Sequence, residues 1–291
     1  SAVDISFFPE DPFALDGLAR EKGATTVVDC GVAPGASNLL VGHVAALLDS
    51  VSEVSIFVGG LPVQRFWPFE YRAPFSPVDV IEEYTRPARL VENGKVVVKP
   101  ALSELEQLDF AGIGTLEAFN TDGLRTLLRT VKAKNMREKT LRYPGHAEKI
   151  RLLRDSGFFS REEVKVGQTS VRPLDLTARL LFDQWRFREG EEDLTVMRVQ
   201  VEGTKGGRKY RYRYDLLDRY DPQTGLSSMA RTTGFTASVT VRLLLEGKFS
   251  EPGIVPPEFL GRDEAAFRFI LDELRKRNVQ YREQIEELDA A

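Results

Sequence analysis

The sequence predicts an α/β fold continued by an α+β one, and three observations carry that expectation. The first 38 residues run strand, helix, strand, glycine turn and helix, the order of a doubly wound parallel sheet. Further on, strands alternate with helices, and two hairpins are marked by Asn93-Gly94 and Lys205-Gly206-Gly207, as in a mixed, largely antiparallel sheet. The chain has 291 residues, 42% hydrophobic and 29% charged, enough to bury a sizeable core.

Residues 1–8 read as a short apolar strand and 9–22 as a helix, with Pro12 in its first turn and Gly23 past its end. Residues 25–30 read as a second strand leading into the Gly31–Gly35 turn. On the helix that follows, Leu39, Leu40, Val44, Leu47 and Leu48 share one face. Residues 54–58 form a buried-type strand. The stretch 62–77, with Pro62, Pro68, Pro74 and Pro77 among five aromatic residues, predicts an ordered loop. A hairpin of 89–92 and 95–99 follows. Then come a strand over 109–120, a helix over 122–131, a strand over 137–143, and helices over 145–156 and 171–187. A second hairpin pairs 193–202 with 208–217, helices cover 228–245 and 262–277, and 279–287 is a strand or a tail. The expected organisation is 1–45 as part of a nucleotide-type domain, 46–225 as an α+β substrate and dimerisation domain, and 226–291 as helices returning to complete both.

Charge and composition exclude several classes. Forty basic and 44 acidic residues leave a net charge of −4, so no global field favours nucleic acid or anionic lipid. Cys30 stands alone, which excludes an internal disulfide framework. His43 and His146 are the only histidines, too few for a multi-histidine metal site, and no metal is expected. No apolar stretch approaches the ~20 residues that span a bilayer, and no secretion signal is evident, so a cytoplasmic location is expected.

Several constellations carry candidate chemistry. The Gly31–Asn38 turn follows the carboxyl end of a strand, where open α/β sheets bind ligands, and opens a helix whose N–H groups favour anions. The bland alternative is an ordinary βα connection. Glu117, Asn120 and Asp122 cluster after an apolar strand; Asp122 suits a helix cap, and Glu117 suits a substrate ammonium. His146, in Arg142-Tyr143-Pro144-Gly145-His146, can move a proton at neutral pH or simply open a helix. Arg231 and the hydroxyls of Thr232 and Thr233 near a helix start suit a carboxylate or phosphate. In residues 208–214, alternation puts Tyr210, Tyr212 and Tyr214 on one sheet face, read as a subunit contact, and Lys209, Arg211 and Arg213 on the other, read as solvated.

The blocks Ser6-Phe7-Phe8-Pro9-Glu10-Asp11-Pro12, Asp29–Asn38, Phe57–Pro62, Leu116–Gly123, Thr140–His146 and Ser228–Phe235 occur in an order that resembles the saccharopine dehydrogenase-like family, and within it lysine 6-dehydrogenase more than saccharopine reductase. The resemblance implies a Rossmann-type remnant followed by a mixed-sheet domain. It implies a parent oxidoreductase moving hydride between NAD or NADP and the C–N bond of an amino acid, and the tyrosine face adds the expectation of a homodimer. Glu117 and His146 are the implied ammonium-binding or proton-transfer pair. Ser6, Phe7, Asn120, Arg142, Tyr143, Arg231 and Thr232 would face substrate, and Gly31, Pro34, Gly35, Asn38 and Thr233 the cofactor. Saccharopine reductases carry Asp in the Pro-Gly turn where this chain has Ala33, which points to a smaller amine. The family's G-x-G-x-x-G loop does not occur; Gly112-Ile113-Gly114 comes nearest, with Glu117 at the third glycine. The expectation is that roughly half a nucleotide domain of ordinary size lies outside these residues. Tight dinucleotide binding by the chain alone is not expected. The alternative is a non-catalytic substrate-binding and dimerisation module.

Overall fold

The computed structural model describes residues 1–7 and 10–289. In chain order its elements are β1 (Ala2–Val3), a 3₁₀ turn (Pro12–Leu15), α1 (Asp16–Glu21), β2 (Thr25–Val27), α2 (Ala36–Leu47) and β3 (Ser50–Pro62). Next come α3 (Pro77–Thr85), β4 (Ala88–Glu92), β5 (Lys95–Lys99), β6 (Glu106–Phe110), β7 (Gly114–Asn120), α4 (Leu127–Thr130) and β8 (Ala133–Arg142). They are followed by α5 (His146–Asp155), β9 (Val164–Val166), β10 (Thr169–Val171), α6 (Pro173–Trp185), β11 (Asp193–Lys205) and β12 (Arg208–Arg219). The last are α7 (Ser228–Leu245), β13 (Gly253–Val255), α8 (Pro257–Arg262), α9 (Glu264–Lys276) and β14 (Tyr281–Leu288).

Both expected layers are present. A small parallel sheet has the order β1-β2-β13, with Ala2 opposite Thr26 and Gly253 opposite Thr25. The first strand is shorter than expected, and Phe8, at the end of that expectation, lies outside the described residues; the pairing continues as Cys30 donates its N–H to the Asp4 carbonyl. Strand β13 was not expected, because three residues among Pro252, Pro256 and Pro257 carry no periodic signal. The larger sheet has nine strands, in the order β14-β12-β11-β3-β8-β4-β5, with β7 also on β8 and β6 on β7. Among the described residues, β3 and β8 are its one parallel pair of neighbours.

The principal core lies between one face of the large sheet and α2, α7 and α9. Leu39, Leu40 and Val44 of α2, Val239 and Leu243 of α7, and Ile270 and Leu274 of α9 meet Val54, Ile56, Val199 and Val201. Each such side chain contributes roughly 1.5–3 kcal/mol by leaving water. Tyr212 and Tyr214 belong to this core, which corrects the expectation of a tyrosine-built subunit contact: that face is filled by the chain's own helices. The opposite face carries Arg211 and Arg213, paired with Glu202, Glu286 and Asp215.

Three further expectations change. The single strand over 109–120 is the β6–β7 hairpin, turning where Gly112 and Gly114 take left-handed backbone, φ 80° and 101°. The helix over 122–131 shrinks to α4, since Arg125 at φ 52° cannot continue a right-handed helix. The proline-rich loop gives way at Pro77 to α3, where proline is tolerated at the first position.

Candidate functional site

The carboxyl ends of β1 and β2 open towards the loop that follows β7, and charged side chains gather there. Asp29, two residues past β2, is 2% exposed and pairs with Arg125 at 3.1 Å. Burial pushes the Asp29 carboxyl up, while Arg125 pulls it back down. Phe7 lies between two guanidiniums, with Arg125 4.3 Å and Arg86 4.9 Å from its ring centre. Arg89 takes Asp122 in a forked contact, with its Nη2 2.8 Å from Oδ2. A cavity of about 290 Å³ is lined by Asp29, Arg89, Arg125, Thr126 and Arg129, with Asp11 at its rim.

The Gly31–Gly35 turn stands at the same strand end. Gly35 has φ 136°, and a Cβ there would collide with the Gly31 backbone, so only glycine fits. Pro34, joined to Ala33 by a cis bond, accepts the Gly31 N–H at 3.1 Å. A Cβ on Gly31 would lie 3.5 Å from the Thr233 methyl, so the turn and the start of α7 are in contact. Asn38, expected to face the cofactor, is fully buried and bonded to Ser37 and Glu258. Ser6 is exposed beside Phe7, with its N–H on the Asp4 carboxylate.

Glu117, Arg142 and His146 come together elsewhere, inside the core. Glu117 accepts the N–H groups of Gly145 (2.8 Å) and Ala147 (2.5 Å) and so closes the N-terminus of α5. His146 is 1% exposed; its Nε2 meets the Tyr84 hydroxyl at 2.8 Å and its Nδ1 the Phe69 carbonyl at 3.0 Å. Burial, with Arg142 beside it, pushes its pKa down to about 3, so the ring is neutral at physiological pH. Arg142 bonds Glu83 at 2.7 Å and the hydroxyls of Tyr71 and Tyr84. Thus the side chains expected to meet a ligand here are occupied by one another.

The same holds for other candidates. Tyr143 gives its hydroxyl to the Pro62 carbonyl and its ring face to Arg65. Asn120 donates to Ser103 and Glu104, and its own oxygen has no partner among the described residues. Arg231 is held by Asp218 and Asp221 at 3.2 and 3.1 Å, and Thr232 bonds back to Ser228, so neither presents a free group to an anion. Asp122 receives Arg89 instead of capping a helix.

The model of the saccharopine dehydrogenase C-terminal domain matches residues 31–279. The chain belongs to that family. Among its relatives are saccharopine dehydrogenase [NADP(+), L-glutamate-forming] of Pyricularia oryzae, 24% identical over 88% of this chain and 73% of that protein, and bovine mitochondrial alpha-aminoadipic semialdehyde synthase, 23% identical over 84% of this chain and 34% of that protein. Vibrio cholerae carboxynorspermidine synthase is 22% identical over 84% of this chain and 60% of its own length. The fold is shared with apo saccharopine dehydrogenase (L-Glu forming) of Saccharomyces cerevisiae at a TM-score of 0.79 and 16% identity, covering 98% of this chain and 79% of that one. The matched residues include the Gly31–Gly35 turn and the 121–126 loop, while β1, β2 and Asp29 precede them. The saccharopine dehydrogenase relatives are oxidoreductases, and the Pyricularia protein is named for NADP(+). Among the described residues no helix is long and apolar enough to cross a membrane.

Sequence reasoning missed Asp29, Arg89 and Arg125, which line the cavity at this strand end. Asp29 lay in a quoted motif with no role given. Arg125 was hidden by reading its segment as a helix, although Asp122-Gly123 is itself a turn signal.

Proposed function

We propose that this chain is the substrate-facing part of an oxidoreductase that exchanges hydride between NAD or NADP and the C–N bond of a small amino acid, of the lysine 6-dehydrogenase or saccharopine reductase type. The observation that carries the reading is that the Asp29–Arg125 pair stands at the carboxyl edge of a parallel sheet, directly before the Gly31–Gly35 turn that touches Thr233. Ala33 and Pro34, the half-buried tip of the turn, are the surface this edge offers to the nicotinamide end of a dinucleotide, whereas the sequence contains no glycine-rich cradle for its phosphates. When bound, the nicotinamide supplies the hydride acceptor or donor.

The chain's own residues would do the remainder. Asp29 and Asp122 are paired with Arg125 and Arg89 here, so an amino acid would be held by exchange into these pairs, its ammonium taking a carboxylate and its carboxylate a guanidinium. Phe7, itself exposed, holds the Arg125 and Arg86 guanidiniums against its ring at this strand end. The protein would act as a homodimer on a small amino acid, without nucleic acid or membrane.

A second reading, a binding module with no dinucleotide of its own, is favoured by the missing G-x-G-x-x-G. Titration of NADH and NADPH fluorescence with the 291-residue protein separates the two. Saturable enhancement supports the oxidoreductase site, to be followed by lysine-dependent reduction of NAD; an unchanged spectrum favours the binding module.

A further inference from the structure

Strand β8 runs through the large sheet with Glu138, Thr140 and Arg142 on one face. Arg142 has a carboxylate partner in Glu83 of α3, at 2.7 Å. Glu138, 4% exposed, has no cationic partner within ion-pair distance among the described residues. Its Oε2 shares a hydrogen bond with the Thr121 hydroxyl at 2.6 Å, Thr121 in turn meets Thr140 at 2.9 Å, and the Gly123 N–H donates to the same carboxyl. Gly123 lies so close that a Cβ would overlap the Glu138 carboxyl. The charged groups facing Glu138 are Glu83 of α3 and Asp122 of the 121–126 loop, and the cations nearby are taken: Arg142 by Glu83 and Arg89 by Asp122. A carboxylate here would be a third negative charge, sealed from water.

We propose that Glu138 is the positioning residue of the 121–126 loop: as a neutral carboxyl it lets Thr121, Asp122 and Gly123 pack onto β8, and so seats Arg125 against Asp29 and Phe7. Burial, outweighing the Thr121 and Gly123 hydrogen bonds that pull the other way, pushes its pKa up to about 8, with Glu83 and Asp122 adding to the rise, so the packed form is the neutral-pH form. Ionisation is relieved by admitting water, and the element free to yield is this loop, which holds regular structure only from Leu127 onward. The functional meaning rests on the cleft reading above, but the loop's response is independent of any ligand.

Hydrogen exchange of the 121–126 amides at pH 7 and pH 9, in the wild type and Glu138→Gln, tests this without substrate. Wild-type protection is expected to fall about tenfold beyond the base-catalysed change, as one carboxyl passes through its titration, while Glu138→Gln keeps its protection. Equal behaviour of the two proteins overturns the proposal. If Glu138→Gln does not fold, the wild-type Glu138 carboxyl is followed by ¹³C NMR. A midpoint near 8 shared with the loop amides supports the proposal; one below about 6, or loop amides that ignore it, overturns it. Failure of the NADH titration leaves these outcomes untouched, so the two readings fail separately.

Discussion

Asp29 and Arg125, 1% and 6% exposed in their side chains, form a buried ion pair that ties the carboxyl edge of the small parallel sheet to a loop of the large one. Neither charge has water to fall back on, so the pair matters most when half of it is removed.

Arg125→Ala should therefore destabilise the protein by about 3–5 kcal/mol, because it leaves Asp29 charged and buried. Urea unfolding measures this. The double variant Asp29→Asn/Arg125→Ala should be less destabilised than the sum of the single ones, and strict additivity would show that the two side chains are not coupled.

His146 should show no titration between pH 5 and 8. Its folded pKa of about 3 lies below the ordinary histidine value near 6.5, so the folded state holds fewer protons than the unfolded one between those limits. The neutral ring's contribution is thus present above pH 6.5 and drains away as pH falls towards 3. The imidazole Cε1–H resonance should stay flat from pH 5 to 8, and a midpoint near 6.5 would place the ring in water.

Arg231→Lys should cost about 1–3 kcal/mol, since an ammonium cannot reproduce the fork that meets Asp218 and Asp221 together. Its effect should appear in thermal unfolding and leave the affinity for an amino-acid ligand within twofold or so of wild type. A selective loss of ligand affinity at unchanged Tm would return Arg231 to the binding site.

Gly35→Ala should disturb the turn at the strand end, because φ 136° with a Cβ against the Gly31 backbone is closed to alanine. Strain of this kind costs about 1–3 kcal/mol. Any NADH fluorescence response should weaken in step, and Gly17→Ala, where a Cβ meets nothing within 4 Å, serves as the control.

Much of the architecture was written locally. Asn93-Gly94 and Lys205-Gly206-Gly207 mark their hairpins, and α7 spans residues 228–245 as its periodicity indicates, because turn chemistry and helical faces act over a few neighbours. What was not legible depends on distant partners. Glu117 looks like a free carboxylate until α5 is placed against it, and Arg231 looks like an anion receptor until Asp218 and Asp221 are brought up from β12 and beyond. The three tyrosines of β12 show the same limit: alternation separates the two faces but does not say which one the helices cover. At the cleft, the motif around Gly31 was visible, while Arg125 and Glu138 gain meaning only from the register of β7 beside β8.

Strand β2 is held by Ala2–Val3 on one side and by Gly253–Val255 on the other. On a ribosome adding roughly 5–20 residues per second, the second of those neighbours emerges only long after the first. For that interval β2 has an open edge, a template for pairing with another nascent chain. The cleft edge that carries Asp29 and the Gly31 turn is therefore among the last parts of this protein to mature, and crowded expression should trap chains at that stage before any other.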